Sequence, residues 1–346
     1  YNPQKIDAFL KADLPIGNLL ANMDMTQTQN PLINFDVVIR DFKTDYFYPN
    51  PSWQNPLLSL NLNGQLKGNS IDNMSGVVTV DSLKFSGDNF NYEPGKFVLE
   101  SSVEKDNRYI ALKSSILDAK VDGQYQFTTL PDEFFNMLNA YLPGMFAENK
   151  RIRRYNNNLN IDLNIHNTET LGKLLDLPAD IIQPVTVKAN INTIDKEIKL
   201  DADIPHVRFG ENNIKAGKIN VSGDASELKA NTAIRLIQES GDFVFNVDNA
   251  ISSDTINTVF SFKNEGSDLN ISGDLKADAH FEQSRAGELS SYLQFSPSNM
   301  RIGNLELSFL PARITNEKER TTISNFGFMV GRGRGFSKYF AVDGAV

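Results

Sequence analysis

Residues 159–165 read Leu-Asn-Ile-Asp-Leu-Asn-Ile, with an apolar side chain at every second position and a polar one between. Successive side chains of a β-strand point to opposite faces, so this period of two predicts a strand with one dry and one wet face. The pattern recurs in segments whose apolar positions are Leu58, Leu60, Leu62; Val185, Val187, Ala189, Ile191; and Ile198, Leu200, Ala202, Ile204. The sequence therefore predicts an all-β, antiparallel fold of about twenty strands.

Helical patterns are few. The strongest covers Pro131–Leu142, where Phe134, Leu138 and Tyr141 form an apolar stripe and Pro143-Gly144 follows as a terminator. We expect this helix to lie across an apolar strand surface, because its stripe is too apolar to face water. Shorter helices are expected near Lys5–Lys11, Glu169–Leu175 and Gly287–Leu293.

An apolar-Ser-Gly-Asp unit occurs three times, at Phe85–Asp88, Val221–Asp224 and Ile271–Asp274. Glycine permits positive φ and aspartate accepts backbone hydrogen bonds, so each unit predicts a turn or a bulge between strands. The single carboxylates lie far apart, unlike those of a calcium-binding loop.

Composition excludes several classes of function. The 346 residues include 43 acidic and 34 basic side chains, a formal net charge of −9, which argues against a nucleic-acid partner. Cysteine is absent, which removes disulfides, zinc-thiolate sites and thiol nucleophiles. No apolar run is long enough to span a bilayer as a helix.

The chain opens at Tyr1 without a start methionine, and we expect it to be an internal piece of a longer protein. We place a soft boundary after residue 148 and expect segments 1–148 and 149–346. Beyond it lie the cations Lys150, Arg151, Arg153 and Arg154, directly after the aromatic helix. Such a pairing resembles an element at a lipid interface, and a solvated loop beside a core helix is the alternative.

We find no active site in the sequence. His166, His206 and His280 are never at metal-ligand spacing, and neither a Walker loop, a nucleophile elbow nor a dinucleotide fingerprint occurs. The chain is therefore expected not to be an enzyme and to use no cofactor or metal.

Residues 75–146 resemble a known family. The segments Val80–Phe85, Glu93–Leu99 and Leu117–Phe127, followed by the Leu130-Pro131 helix and Tyr141-Leu142-Pro143, resemble the strand series of TamB-like proteins from Bacteroidetes. The rest of the chain resembles these AsmA and TamB proteins of Gram-negative envelopes in pattern only.

The resemblance implies an elongated, twisted, taco-shaped β-groove lined with aliphatic and aromatic side chains, without catalytic residues. It implies a periplasmic protein, anchored in the inner membrane and reaching the outer membrane, that guides phospholipid between them. It also implies an outer-membrane barrel partner of the Omp85 class, TamA-like, with which it helps to assemble surface proteins.

An apolar groove needs no particular polar residues, because a continuous dry face lowers the cost of moving acyl chains through water. We expect phospholipid acyl chains to contact the strand positions Leu58, Leu60, Leu62, Leu159, Ile161, Leu163, Ile165, Val185, Val187, Ile191, Ile198, Leu200 and Ile204, and the helix positions Phe134, Leu138 and Tyr141. Two other interpretations stay open: a β-sandwich array, as in an adhesin or binding module, and a β-helical carbohydrate enzyme.

The tripeptides Asp81-Ser82-Leu83 and Asp254-Thr255-Ile256 resemble the acceptor pattern for O-linked glycans in periplasmic proteins of Bacteroidetes. Ordinary strand hydroxyls at Ser82 and Thr255 are the alternative.

Overall fold

The computed structural model describes residues 5–146, 148, 155–239, 241–283, 288–317, 320–332 and 335–345. Within these residues the chain forms 24 β-strands, two α-helices and one short 3₁₀ helix. All the strand pairs whose registers are defined are antiparallel. The prediction of an all-β antiparallel fold with a few short helices is confirmed.

The chain divides into two compact units that alternate along the sequence. The first comprises Tyr1–Thr128 and Leu159–Thr186, and the second Thr129–Asn158 and Val187–Val346. The sequence predicted two consecutive segments, 1–148 and 149–346, whereas each unit of the structure combines two separate segments of the chain.

The first unit begins with a run of antiparallel strands. They are β1 (Lys5–Leu14), β2 (Gly17–Thr26), β3 (Leu32–Lys43), β4 (Leu57–Lys67), β5 (Ser75–Gly87), β6 (Phe90–Tyr92), β7 (Phe97–Glu104), β8 (Asn107–Lys113) and β9 (Leu117–Gln124). The 3₁₀ helix is Thr44–Tyr46, and the later elements of this unit are β10 (Asn158–Ile165), α2 (Glu169–Leu175) and β11 (Ala179–Gln183).

The second unit contains α1 (Leu130–Asn139) and the remaining strands; β12 starts at the unit boundary. The strands are β12 (Val185–Asn192), β13 (Glu197–Phe209), β14 (Asn212–Gly223), β15 (Leu228–Ile237), β16 (Asp242–Ser252), β17 (Thr255–Glu265), β18 (Ile271–Gln283), β19 (Leu289–Phe295), β20 (Ser298–Ile302), β21 (Leu305–Phe309), β22 (Ala312–Glu317), β23 (Arg320–Arg332) and β24 (Gly335–Ala345).

Two of the predicted short helices are strands. Lys5–Lys11 lies in β1, which pairs with β2 from Lys5 opposite Thr26 to Leu14 opposite Gly17. Leu289–Leu293 lies in β19, while Gly287 is outside the described residues. In both places the backbone hydrogen bonds go to a neighbouring strand, which a local pattern cannot reveal. The helix expected at Glu169–Leu175 is confirmed as α2.

The long predicted helix is present with a shorter span. It runs from Leu130 to Asn139, and the chain then continues in a turn in which the N–H of Leu142 donates to the carbonyl of Leu138 at 3.1 Å. Pro131 stands in the first turn, where its missing N–H costs nothing.

Two of the three Ser-Gly-Asp units end strands, and one does not. Asp224 follows β14. Its carboxylate accepts hydrogen bonds from the Ser226 hydroxyl at 2.6 Å and from the N–H groups of Ser226 and Glu227 at 2.8 and 3.3 Å, and these bonds hold its pKa below the usual range. The turn expected at Ile271–Asp274 is wrong, because this segment lies inside β18. There Gly273 permits close strand approach: a Cβ would lie 2.9 Å from the carbonyl oxygen of Asn299.

Candidate functional site

The first unit carries a row of apolar residues that crosses eight strands. Directly opposed residues of an antiparallel pair point to the same face, so the registers define the row without reference to side-chain contacts. From β1 to β9, omitting the short β6, the row is Ala8, Met23, Phe35, Gly64, Val78, Leu99, Leu112 and Ala119.

Two further rows lie beside it on the same face. One is Leu10, Ala21, Val37, Leu62, Val80 and Phe97; the other is Ala12, Leu19, Ile39, Leu60 and Leu83. A bulge in β5 between Val80 and Ser82 keeps Leu83 on this face. The predicted groove residues Leu60 and Leu62 thus belong to the face, and Leu58 extends it opposite Phe42 and Phe85.

Gly64 is the one position of the central row without a side chain, and the ring of Phe35 occupies its place. A Cβ on Gly64 would lie 2.5 Å from Cζ of Phe35, closer than packed atoms approach. The absence of a side chain at Gly64 therefore leaves the space on the neighbouring strand that the Phe35 ring fills.

This apolar face is only partly covered. Met23 and Leu99 are 39% and 40% exposed, and the other large side chains of the central row are half-buried. Across all described residues, ten apolar side chains are buried. A face packed against a second sheet would bury its central row, so these values fit a face that water or a ligand can reach.

The second unit has a corresponding face. Its longest row crosses nine strands and consists of Ile198, Gly223, Leu228, Ile251, Ile256, Ala279, Leu293, Ile314 and Ile323. The adjacent row is Leu200, Val221, Ala230, Asn249, Thr258, Ala277, Phe295 and Ala312, and a third is Ala202, Ile219, Thr232, Val247, Phe260 and Leu275.

Four phenylalanines form an aromatic platform on this second face. The ring centroids of Phe243 and Phe245 are 6.0 Å apart, those of Phe245 and Phe260 are 5.9 Å apart, and those of Phe260 and Phe262 are 5.7 Å apart. All four are half-buried, so one side of the platform stays accessible. Our sequence reasoning missed these residues, although the spacings Phe243-x-Phe245 and Phe260-x-Phe262 carried the signal.

A polar pair interrupts the apolar face next to the platform. The hydroxyl of Thr258 donates to Oδ1 of Asn249 at 2.8 Å, and Nδ2 of Asn249 donates to the Ala230 carbonyl at 3.4 Å. Both side chains are uncharged, and these two hydrogen bonds use much of their hydrogen-bonding capacity. The pair therefore adds no charge and few unpaired polar groups to the face.

The segment after α1 crosses the strand ends of the second unit. Tyr141 is 1% exposed, and its hydroxyl donates to the Lys196 carbonyl at 3.0 Å. It also lies against Gly223, where a Cβ would be 3.1 Å from the hydroxyl oxygen. Burial raises the pKa of Tyr141 to about 12.

Asp254, in the turn between β16 and β17, is hydrogen-bonded to the segment Tyr141–Gly144 that follows α1. Its carboxylate accepts the N–H of Gly144 at 2.5 Å, its own N–H donates to the Tyr141 carbonyl at 3.0 Å, and its carbonyl accepts the N–H of Phe281 at 2.9 Å. The Tyr141–Gly144 segment is thus bonded to the ends of strands that carry the apolar face. The cations Lys150, Arg151, Arg153 and Arg154 lie outside the described residues.

The remaining predicted groove positions differ in burial. Leu159, at 2% exposed, and Val185, at 7%, are buried. The half-buried ones are Ile161, Leu163, Ile165, Val187, Ile191, Ile198, Leu200, Ile204, Phe134 and Leu138. The half-buried positions keep part of their surface exposed to solvent.

The histidines take part in local pairs. Nε2 of His166 lies 3.1 Å from an Asp118 carboxylate oxygen, Nε2 of His206 lies 2.9 Å from Oδ1 of Asn213, and Nδ1 of His280 lies 2.9 Å from the Thr255 hydroxyl. Among the residues that the structure describes, no group of three or more His, Cys, Asp or Glu is placed to hold a metal ion. Ser82 is exposed, whereas the Thr255 hydroxyl is half-buried and bonded.

No protein-family model matches this chain, and no curated protein matches it either. In the described part of the chain, neither α-helix has the length and apolar character needed to cross a membrane.

Proposed function

We propose that this chain is a non-enzymatic carrier segment whose open apolar faces hold the acyl chains of phospholipids. The observation that supports this most directly is the eight-strand row from Ala8 to Ala119, which is apolar throughout and only half-covered. Large exposed apolar faces are uncommon on soluble proteins and mark sites that bind apolar partners.

The dimensions and energies suit an acyl chain. Neighbouring strands lie about 4.8 Å apart, so a row across eight strands extends for roughly 34 Å. An acyl chain spans half of a hydrocarbon core about 30 Å thick, so either face is long enough to take one. Removing a methylene from water is worth about 0.8 kcal/mol, and the face needs to supply only continuous apolar area.

The aromatic platform supports the same function in the second unit. Phe243, Phe245, Phe260 and Phe262 provide broad apolar contact area without hydrogen-bonding demands. The resemblance of residues 75–146 to TamB-like proteins extends the proposal. The chain would act in the periplasm of a Gram-negative bacterium, carry phospholipid between inner and outer membranes, and support outer-membrane protein assembly with an Omp85-class barrel.

A closed β-sandwich adhesin or binding module is less well supported. Such a fold buries the inward faces of both sheets to form its core. Here Met23, Phe35, Val78 and Leu99 occupy the middle of the face, and none of the four is buried.

Native mass spectrometry of the protein, purified without detergent, tests the proposal. We expect phospholipid to remain bound to the native chain. Val78→Asn places an amide in the central row and should reduce the bound lipid severalfold. The matched control Val77→Asn changes the adjacent valine, which points to the opposite face between Gln65 and Glu100, and should retain the lipid.

Absence of phospholipid from the native protein, including after incubation with phospholipid vesicles, would contradict the proposal. Equal lipid loss in Val77→Asn and Val78→Asn would also contradict it, because only one of the two residues lies on the apolar face.

A further inference from the structure

One charged side chain lies on the apolar face of the first unit. Among the paired positions of β1–β9, the registers place uncharged residues on this face, with Arg108 of β8 as the one exception. Arg108 lies opposite Val103 of β7 and Gly123 of β9, one row beyond the row that contains Ile110. On this side, the apolar face therefore ends at a cation.

Arg108 is buried and only loosely paired. Its side chain is 10% exposed, and within the described residues its ion pair is with Asp72, whose carboxylate oxygen lies 4.0 Å from Nη1. Nε of Arg108 is shielded from water and has no hydrogen-bond partner in the described part of the chain. Removing a cation from water is costly unless the cation is paired and hydrogen-bonded. The guanidinium therefore lacks the partner that its position requires.

The carboxylate of Asp72 is used elsewhere. One of its oxygens accepts the N–H of Phe127 at 2.6 Å, and the other accepts the hydroxyl of Thr128. Both bonds are much shorter than the contact with Arg108. Asp72 therefore mainly holds the segment that follows β9, and it leaves the guanidinium free to bind another anion.

A second unpaired polar group lies near Arg108. Tyr125, two residues beyond Gly123, is 0% exposed, and its hydroxyl has no hydrogen-bond partner among the described residues. Burial raises the pKa of Tyr125 to about 12, and the positive charge of Arg108 opposes this rise, so the two groups are within electrostatic reach of each other. Buried polar groups are almost always paired, and two unpaired ones at one place indicate a binding site.

The chemistry of Arg108 selects an anion with several oxygens. A guanidinium presents its N–H groups as a planar fork that matches the oxygens of a phosphate. Of the three nitrogen atoms of Arg108, only Nε is both shielded from water and unpaired, so Nη1 and Nη2 stay accessible. Along β8, Ile110 and Leu112 follow Arg108 on the same face, and Leu112 belongs to the central apolar row. A ligand with one phosphate and apolar chains fits this sequence of surfaces.

We propose that Arg108 binds the phosphate of a phospholipid whose acyl chains lie on the apolar rows of the first unit. The proposal rests on the carrier function above and adds the place at which the headgroup is recognised. With the phosphate at Arg108, the first methylenes contact Ile110 and Val121, and Leu112 follows four residues or about 13 Å along the strand. Gly123, opposite Arg108, has no side chain that would block the headgroup.

Two short-chain ligands test the proposal by isothermal titration calorimetry. Dihexanoyl phosphatidylcholine and dihexanoyl glycerol carry the same acyl chains, and only the first has a phosphate. We expect the native chain to bind the phospholipid at least about fivefold more tightly than the diacylglycerol. Arg108→Gln should abolish this difference and leave the binding of the diacylglycerol unchanged.

Three further measurements separate phosphate binding from a structural role of Arg108. Arg40→Gln removes the same charge from the opposite face, where Arg40 pairs with Asn18, and should keep the preference for phospholipid. Arg108→Lys keeps the charge without the fork and should keep part of the preference. In urea unfolding, Arg108→Gln should not lower the free energy of unfolding, because the contact with Asp72 is long.

The proposal is overturned if Arg108→Gln binds the phospholipid as tightly as the native chain does. An equal loss of phospholipid binding in Arg40→Gln would also overturn it, because the effect would then come from net charge. A lower free energy of unfolding in Arg108→Gln, with both ligands weakened equally, would make Arg108 a structural residue.

Glycerol 3-phosphate, which has no acyl chain, separates this proposal from the carrier function. If the native chain binds both dihexanoyl ligands equally and Arg108→Gln changes neither, the phosphate site is wrong and the carrier function stands. If glycerol 3-phosphate binds through Arg108 and neither lipid binds, the carrier function is wrong and the site takes soluble phosphates. If none of the three ligands binds, both proposals are wrong.

Discussion

Replacing Val247 by aspartate measures whether the apolar face of the second unit is open. Val247 lies between Thr232 and Phe260 in its row and is half-buried. Full burial of a valine side chain is worth about 1.5–3 kcal/mol, so a half-buried one contributes about 1 kcal/mol. On an open face the carboxylate remains hydrated, and we expect Val247→Asp to lower the free energy of unfolding by only about 1–2 kcal/mol.

A closed core predicts a different magnitude. There the carboxylate would be buried without a partner, at a cost of several kcal/mol, which is a large part of the roughly 5–15 kcal/mol that stabilises a typical domain. The stability losses expected for Val247→Asp on an open face and in a closed core therefore differ by more than the error of a denaturation measurement.

Val259→Asp is the matched control. Val259 lies on the adjacent strand, points to the opposite face between Asp248 and Lys276, and is 39% exposed. We expect this variant to change stability by about 0.5 kcal/mol or less. Urea unfolding followed by far-UV circular dichroism gives both values, and native mass spectrometry should show lipid loss in Val247→Asp alone. A loss above about 4 kcal/mol in Val247→Asp, with Val259→Asp unaffected, would refute the open face.

Three other predictions concern single positions. Ile161→Asp and Val187→Asp should each impair phospholipid binding while leaving the far-UV β signal largely intact; unfolding of both would instead favour a closed core. Gly64→Val should clash with the Phe35 ring and lower the free energy of unfolding, measured in urea, by about 1–3 kcal/mol. Adding Phe35→Leu should recover part of this loss. An unchanged urea midpoint in Gly64→Val would contradict the contact. Tyr141→Phe should cost about 1 kcal/mol at pH 8 by removing one hydrogen bond. The pKa of Tyr141 is about 12 in the folded chain and about 10 in the unfolded chain, so the native chain loses stability as the pH rises from 10 towards 12. The stability difference between the native chain and Tyr141→Phe should therefore be smaller at pH 11 than at pH 8, as measured by urea unfolding. An equal difference at both pH values would contradict the buried hydroxyl.

Local patterns determined the secondary structure of most of this chain. The alternation at Leu58, Leu60 and Leu62 predicts both a strand and its apolar face, because side-chain direction in a strand depends only on sequence parity. Helix α1 was predicted from an apolar stripe at helical spacing with a proline and acidic residues in the first turn. Helix α2 was predicted only as one of three short helical segments, and the described parts of the other two lie in strands. The pattern fails at β1, where Ile6, Phe9 and Leu10 fit a helical face while Ile6, Ala8 and Leu10 fit a strand.

Tertiary structure decided which strands are neighbours and in what register. The row from Ala8 to Ala119 exists only because seven pairings align residues that are distant in sequence. Likewise, Gly144 meets Asp254 across 110 residues of sequence. A period of two specifies the faces of each strand but leaves its partner open, since many strands share the same pattern. The partner is selected by hydrogen bonds, bulges and turns acting together, and so the continuous apolar faces become visible only in the folded chain.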